Sequence, residues 1–160
     1  MPYLLRKIRK IRWDAELKKQ IAGLMDDECP ADCLGDLETA NCCLSLWQVG
    51  DDQDNLDDII AALGANCSYI SPLDYALIAR EQVEEIAELK KTLGQSSHNL
   101  ANDNWHWDLV GLSTGRLTRL AEVMYDCAER VRIAPKNLEK LVRKALEEKK
   151  LDSERVKIKL

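Results

Sequence analysis

Asn41-Cys42-Cys43-Leu44-Ser45-Leu46-Trp47-Gln48-Val49 is a compact, apolar-rich run that ends at Gly50 and a string of acids, Asp51, Asp52 and Asp54. A run of that length bounded by a breaker predicts a buried strand. The next thirty residues set the fold class. Leu56, Ile59, Ile60 and Leu63 form one stripe at helical spacing. Asp and Asn residues precede the stripe, acids fill its first turn, and Gly64 stands where a left-handed C′ residue belongs. After Pro72, Leu73-Asp74-Tyr75-Ala76-Leu77-Ile78-Ala79 reads as another strand. The stretch 41–79 is therefore a β-α-β passage. Its crossover is right-handed if the two strands are parallel neighbours.

Working towards the N-terminus, residues 3–13 admit two readings. Leu4, Ile8, Ile11 and Ala15 fall at helical spacing, whereas Tyr3, Leu5, Ile11 and Trp13 share one face of a strand. A sheet of two strands is marginal, so a third is needed, and its cations suit an edge position. The expectation is an edge strand. Residues 14–25 suggest a short helix through Leu17, Ile21 and Leu24, and residues 26–32 an acidic loop.

Working towards the C-terminus, residues 81–93 read as helix, and Gly94-Gln95-Ser96-Ser97-His98-Asn99 as a polar, breaker-rich linker. Beyond it Leu109, Leu112, Leu117, Leu120, Met124, Cys127 and Val131 drift at three-to-four spacing, which predicts a long helix over 112–131. Pro135 suits the N1 position of a second helix over 135–149. Residues 156–160 alternate and fit either an edge strand or a tail. The expected fold is α+β. Residues 1–95 carry a small mixed sheet with flanking helices, and residues 96–160 form a helical hairpin packed on that core.

The charge is sorted by position. Residues 1–20 hold seven Lys/Arg against two acids, residues 130–160 eleven against five, and residues 21–129 only five against twenty-one. Such segregation sets long-range fields and partner choice rather than fold. Hydrophobic residues at 46% are too many for a disordered chain. No apolar run is long enough for a membrane span. Arg6, Lys7, Arg9 and Lys10 fall where an export signal would need its apolar stretch. A cytoplasmic protein is expected.

Six cysteines are present: Cys29, Cys33, Cys42, Cys43, Cys67 and Cys127. A zinc site from the first four suffers from the adjacent Cys42–Cys43 pair, whose side chains would diverge on a strand. No metal site is expected, and the thiols read as buried or incidental. The glycines show neither Walker nor dinucleotide spacing, so no nucleotide or other cofactor is expected.

Three constellations remain. Asp51, Asp52, Asp54, Asp57 and Asp58 are helix-capping acids, an electronegative docking edge, or, with Asp74, oxygen ligands for Mg²⁺. Trp105, His106 and Trp107 are either a helix anchor or an aromatic site carrying a titratable ring. Arg132, Lys136, Lys140, Arg143 and Lys144 flank the two C-terminal helices and fit phosphate contacts, although a pI near 5.2 argues against general nucleic-acid affinity. Charge segregation without a catalytic signature points to a non-enzymatic adaptor or regulator. It would be an inhibitor, antitoxin-like or immunity-like component that binds another protein, or a second copy of itself, through its acidic edge at 51–58. The alternatives are a nucleic-acid-binding module using the C-terminal helices and a metal-dependent hydrolase at the acidic strand end.

Overall fold

The chain's first strand, β1 (Tyr3–Ile8), lies inside the sheet of the computed structural model, with hydrogen-bonded neighbours on both sides. The structure describes residues 1–25 and 28–160. Asp26 and Asp27, which open the expected acidic loop, lie outside the described residues, as does the Leu17 side chain. The elements after β1 are a 3-10 turn (Lys10–Trp13), α1 (Ala15–Lys18), a second 3-10 turn (Ala31–Asp36), β2 (Leu44–Val49), α2 (Leu56–Ala65) and β3 (Leu73–Ala79). Then come α3 (Arg80–Glu84), β4 (Glu88–Lys91), α4 (Asn99–Asn104), β5 (His106–Val110), α5 (Thr114–Cys127), β6 (Glu129–Ile133) and α6 (Pro135–Glu147). The fold is α+β, as expected, around a six-stranded sheet in the order β4-β5-β2-β1-β3-β6.

The edge position expected for residues 3–13 is replaced by a central one because β1 is apolar on both faces. Leu4 and Ile8 enter one core and Tyr3 and Leu5 the other. Its cations are absorbed locally. Arg6 donates through Nε to the Asp36 carbonyl at 3.0 Å and through Nη1 to the Ser45 carbonyl at 2.9 Å, and Lys7 Nζ reaches Cys67 Sγ at 3.4 Å. β2 and β3 both run antiparallel to β1, and so parallel to each other with β1 between them. The β-α-β passage therefore exists, but its strands are not neighbours. All pairings in the sheet are antiparallel, not mixed.

The C-terminal half departs further from expectation. The helix expected over 81–93 divides into α3 and β4, and the apolar series from Leu109 to Val131 crosses a strand, a helix and another strand. Gly111, at φ +68°, turns the chain out of β5. Ser113 then caps α5, its hydroxyl accepting from the Arg116 N–H at 3.3 Å. Glu129-Arg130-Val131-Arg132-Ile133 has a period of two and pairs with β3. The helical hairpin is thus interrupted by β6, and α5 and α6 cover opposite faces of the sheet.

On one face Leu4, Ile8, Leu46, Ile78 and Leu109 meet Trp13, Leu37, Val83, Leu120 and Met124. On the other Leu5, Trp47, Val49, Tyr75 and Leu77 meet Ile59, Ile60, Leu138, Val142 and Ala145. Gly64 is inside α2, not at a left-handed C′. A Cβ there would sit 2.6 Å from Leu138 Cδ1 and 3.2 Å from Val142 Cγ2, so glycine is what lets α2 and α6 approach. The expected linker at 94–99 is instead buried at Ser96, Ser97 and His98. The C-terminal segment forms no strand. It buries Leu151 and Ile158, and the Lys157 N–H caps the Ala65 carbonyl of α2 at 2.8 Å.

Candidate functional site

Residues 9–43 separate β1 from β2, although these strands are hydrogen-bonded neighbours. Adjacent antiparallel strands need only a short turn. Connections beyond about 12–15 residues with little regular structure are uncommon and tend to carry function. This excursion is organised by one buried carboxylate. Asp36 accepts at Oδ2 from the Arg9 N–H and from Trp13 Nε1, each at 2.8 Å, and at Oδ1 from Arg12 Nη1 at 2.9 Å. Trp13, Cys33 and Leu37 enter the core below it. The return to β2 is a tight turn in which Asn41 and Cys42 both adopt positive φ and Ala40 and Cys43 exchange backbone hydrogen bonds.

Above that anchor the excursion exposes apolar side chains among its charged ones. Ile11, Ile21, Met25 and Leu34, four of the nine exposed large hydrophobics among the described residues, belong to this one segment. Leu34 lines one of two clefts that share Pro30, and Ile11 and Ile21 line the other. The first, of about 310 Å³, lies between the second 3-10 turn and α5; Leu24, Leu34 and Ala121 form its apolar lining and Glu28 and Glu122 its acidic groups. The second, of about 490 Å³, is lined by Ile11, Ile21, Arg12, Asp14, Lys18 and Asp32. Cys29 lines the first cleft.

The acidic turn is less available than its sequence suggests. Asp51 pairs with the Met1 ammonium at 3.2 Å, and Asp58 with Lys150 at 3.0 Å. Asp52, Asp54 and Asp57 remain exposed. Asn55 occupies the N-cap of α2, but its side chain accepts from the Gly50 N–H and donates to the Gln48 carbonyl, each at 3.0 Å, instead of capping the helix. Asp74 is remote from the turn. It lies opposite Ile8, whereas Val49 lies opposite Tyr3, so these groups stand at opposite ends of the sheet, about 17 Å apart along the strands. Asp74 accepts two bonds from Arg132 at 2.7 and 2.9 Å and one from the Lys10 N–H at 2.9 Å. These bonds, Arg132's first, hold its carboxyl below the usual range. The metal-hydrolase set Asp51, Asp52 and Asp74 is therefore not assembled. Among the described residues no His, Cys, Asp or Glu group is arranged for a metal ion.

The Trp105–His106–Trp107 stretch divides between surroundings. Trp105 ends α4, 5.9 Å from the His98 ring. His106 packs edge-on against Trp47 at 4.9 Å and holds Thr92 Oγ1 at 2.8 Å through Nδ1; burial lowers its pKa. Trp107 points to the other sheet face, where the Arg80 guanidinium covers its ring at 4.3 Å. One shared aromatic pocket is not formed.

The basic set is also divided. Lys136, Lys140, Arg143 and Lys144 line a shallow hollow on α6 together with Glu139 and Glu147, and Arg143 pairs with Glu139 at 2.7 Å. Arg132 is on β6, whose flanking Val131 and Ile133 face α6, so its own side chain points to the opposite face. The charge sorted along the string is folded back on itself: Arg12 meets Asp36, Arg132 meets Asp74 and Lys150 meets Asp58.

A Ser97–His98–Asp58 grouping has no triad geometry. His98 Nδ1 accepts from the Ala101 N–H at 3.1 Å, so the neutral ring carries its proton on Nε2, which lies 3.9 Å from Asp58 Oδ1. Burial lowers the His98 pKa, with Asp58 opposing and Lys150 assisting. Neither ring nitrogen is free to take a serine proton. Sequence reasoning missed Asp36 and the apolar rim of the excursion, and weighed Cys29 only as a zinc ligand. Their signal was weak, since residues 14–25 read only as a short helix and residues 26–40 show no strong period. No protein-family model matches the chain, and no curated protein or solved structure matches it either.

Proposed function

We propose that this protein is a protein-binding adaptor or regulator whose docking surface is the excursion between β1 and β2. The cleft beside α5 receives an apolar side chain of the partner, and Glu28 and Glu122 favour a Lys or Arg next to it. The observation that carries this reading is that Ile11, Ile21 and Leu34, all exposed, line two clefts on one long connection that also exposes Met25. Apolar anchors with charged surroundings are the common anatomy of a docking surface. The acidic turn, with Asp51 and Asp58 already paired, is a weaker candidate for the same task.

The test compares three baits in affinity capture from the source cell: the native protein, Leu34→Glu, and the double variant Asp52→Asn/Asp54→Asn. The expected partner is retained by the native protein and the double variant and lost by Leu34→Glu. With purified components, Leu34→Glu weakens binding about 30-fold, the equivalent of about 2 kcal/mol at a central anchor. Unaltered capture by Leu34→Glu, or loss in the acidic-turn variant alone, refutes the excursion as the docking surface.

A further inference from the structure

Cys29 and Cys33 flank a turn closed by the bond from the Cys33 N–H to the Pro30 carbonyl at 3.0 Å, and Cys29 packs against the core cluster that contains Cys33, but they differ in access. Cys29 is half-buried and lines the cleft beside α5; Cys33 is fully buried behind it in the core. The Cys33 thiol donates to the Arg12 carbonyl at 3.0 Å. The other four cysteines lack this layering. Cys42 and Cys127 are exposed, Cys43 donates to the Asn41 carbonyl, and Cys67 contacts Lys7 and the Leu63 carbonyl.

An outer thiol in a cleft with a second thiol behind it is the arrangement that thiol–disulfide exchange requires. The outer sulfur meets the incoming disulfide, and the inner one, unreachable from solvent, resolves the mixed disulfide. We propose that Cys29 and Cys33 form such a pair, with Cys29 attacking and Cys33 resolving, and that the cleft admits a small disulfide. The ionisation of the two thiols agrees with these roles. The neighbouring Cys33 side chain lowers the Cys29 pKa, assisted by Lys18 and opposed by burial, Asp126 and Glu122. The same contact, together with burial, pushes the Cys33 thiol far up. Cys29 is therefore the one that ionises first.

The exchange has two steps. The Cys29 thiolate attacks one sulfur of the small disulfide, the S–S bond of that molecule breaks, and one thiolate leaves and takes a proton from water. Cys33 then attacks the Cys29 sulfur, and the second thiolate leaves with the Cys33 proton. Two electrons pass from the protein to the small disulfide, which is reduced to two thiols, and an intramolecular disulfide closes. The proposal is independent of any protein partner, so its test contains none.

Cystamine is the probe, since its cationic ends suit a cleft carrying Glu28 and Glu122. It is added to the Cys42→Ser/Cys127→Ser protein at neutral pH, and the products are mapped by peptide mass spectrometry. The expected product is a Cys29–Cys33 disulfide, formed about threefold or more faster than mixed disulfide appears on Cys42 and Cys127 of the native chain. With Cys33→Ser added, the reaction stops at a mixed disulfide on Cys29; Cys33→Ala serves the same purpose if the serine form does not fold. Cys29→Ser leaves Cys33 reduced. The proposal is overturned if Cys29 remains reduced while Cys42 and Cys127 react, or if native Cys33 never displaces the probe from Cys29.

Discussion

The two faces of the sheet are closed by different means. On the α6 side, two regular helices meet at Gly64 with apolar stripes at helical spacing, and the C-terminal segment straps the end of α2. On the α5 side, much of the cover is an irregular excursion, and a single carboxylate gathers its hydrogen bonds. Repetitive apolar patterning closes a face completely, because each turn of helix repeats the same contact. An anchor at one point fixes the base of a loop and leaves its outer parts unpacked. Two clefts lined by exposed apolar side chains accordingly accompany the excursion on the second face.

That contrast is most directly broken at Asp36. Replacing it by alanine leaves Arg12 and Trp13 Nε1 without their acceptor and frees the Arg9 N–H. Removing one partner from a buried charged network costs about 3–5 kcal/mol. Urea denaturation of Asp36→Ala followed by Trp fluorescence measures the loss. Hydrogen exchange should locate its first effect in residues 9–25 and 28–36 and leave α2 and α6 protected. Uniform loss of protection across both faces would show that the carboxylate supports the whole fold and not one loop.

Gly64→Ala is the corresponding probe of the helical side. Its new methyl meets Leu138 and Val142, and α2 and α6 must move apart or Leu138 must change rotamer. Overpacking of this kind costs about 1–3 kcal/mol. Pairing it with Leu138→Ala makes room for the methyl. A coupling energy of about 0.5 kcal/mol or more in the double-mutant cycle is expected for residues in contact. Strict additivity would remove the argument for close approach at this glycine.

Legibility in the sequence obeys the same division. β2, α2, β3 and α6 are readable because each repeats its pattern over two turns of helix or several strand residues. Gly64 stands out in the sequence but suggests the wrong reason, since the partner that demands it, Leu138, lies far along the chain. β5 and β6 are hidden because Leu109 and Val131 happen to fall in phase with the stripe of α5. β1 is displaced to an edge because its cations look exposed until Asp36 and Ser45 supply acceptors. The candidate site is almost unreadable. A loop anchored by one aspartate has no period, and the pairing of Cys29 with Cys33 as outer and inner thiols depends on burial that spacing does not encode.

The smallest expected effect separates the faces by pH. Both histidines, His98 and His106, lie on the α6 side: His98 faces Asp58 of α2, and His106 packs on Trp47 of that core. Burial is the first cause of each lowered pKa, with Asp58 opposing and Lys150 assisting at His98, and Asp108 and Thr92 opposing at His106. The unfolded chain therefore binds protons near the ordinary histidine value while the folded chain still resists them. Stability is level above about pH 7 and falls as pH drops through that ordinary value, by no more than about 1.4 kcal/mol per pH unit for each ring. Asp74, whose carboxyl is held low, contributes a further loss only at more acidic pH. Urea midpoints at pH 7.5 and 5.5 measure the first loss. His98→Asn keeps a side chain able to accept from the Ala101 N–H but removes the titration, so it should flatten part of the slope. Hydrogen exchange, corrected for its intrinsic pH dependence, should show α2 and α4 loosening at pH 5.5 before the Asp36-anchored loop. An equal acid response on both faces would mean that the histidines do not distinguish them.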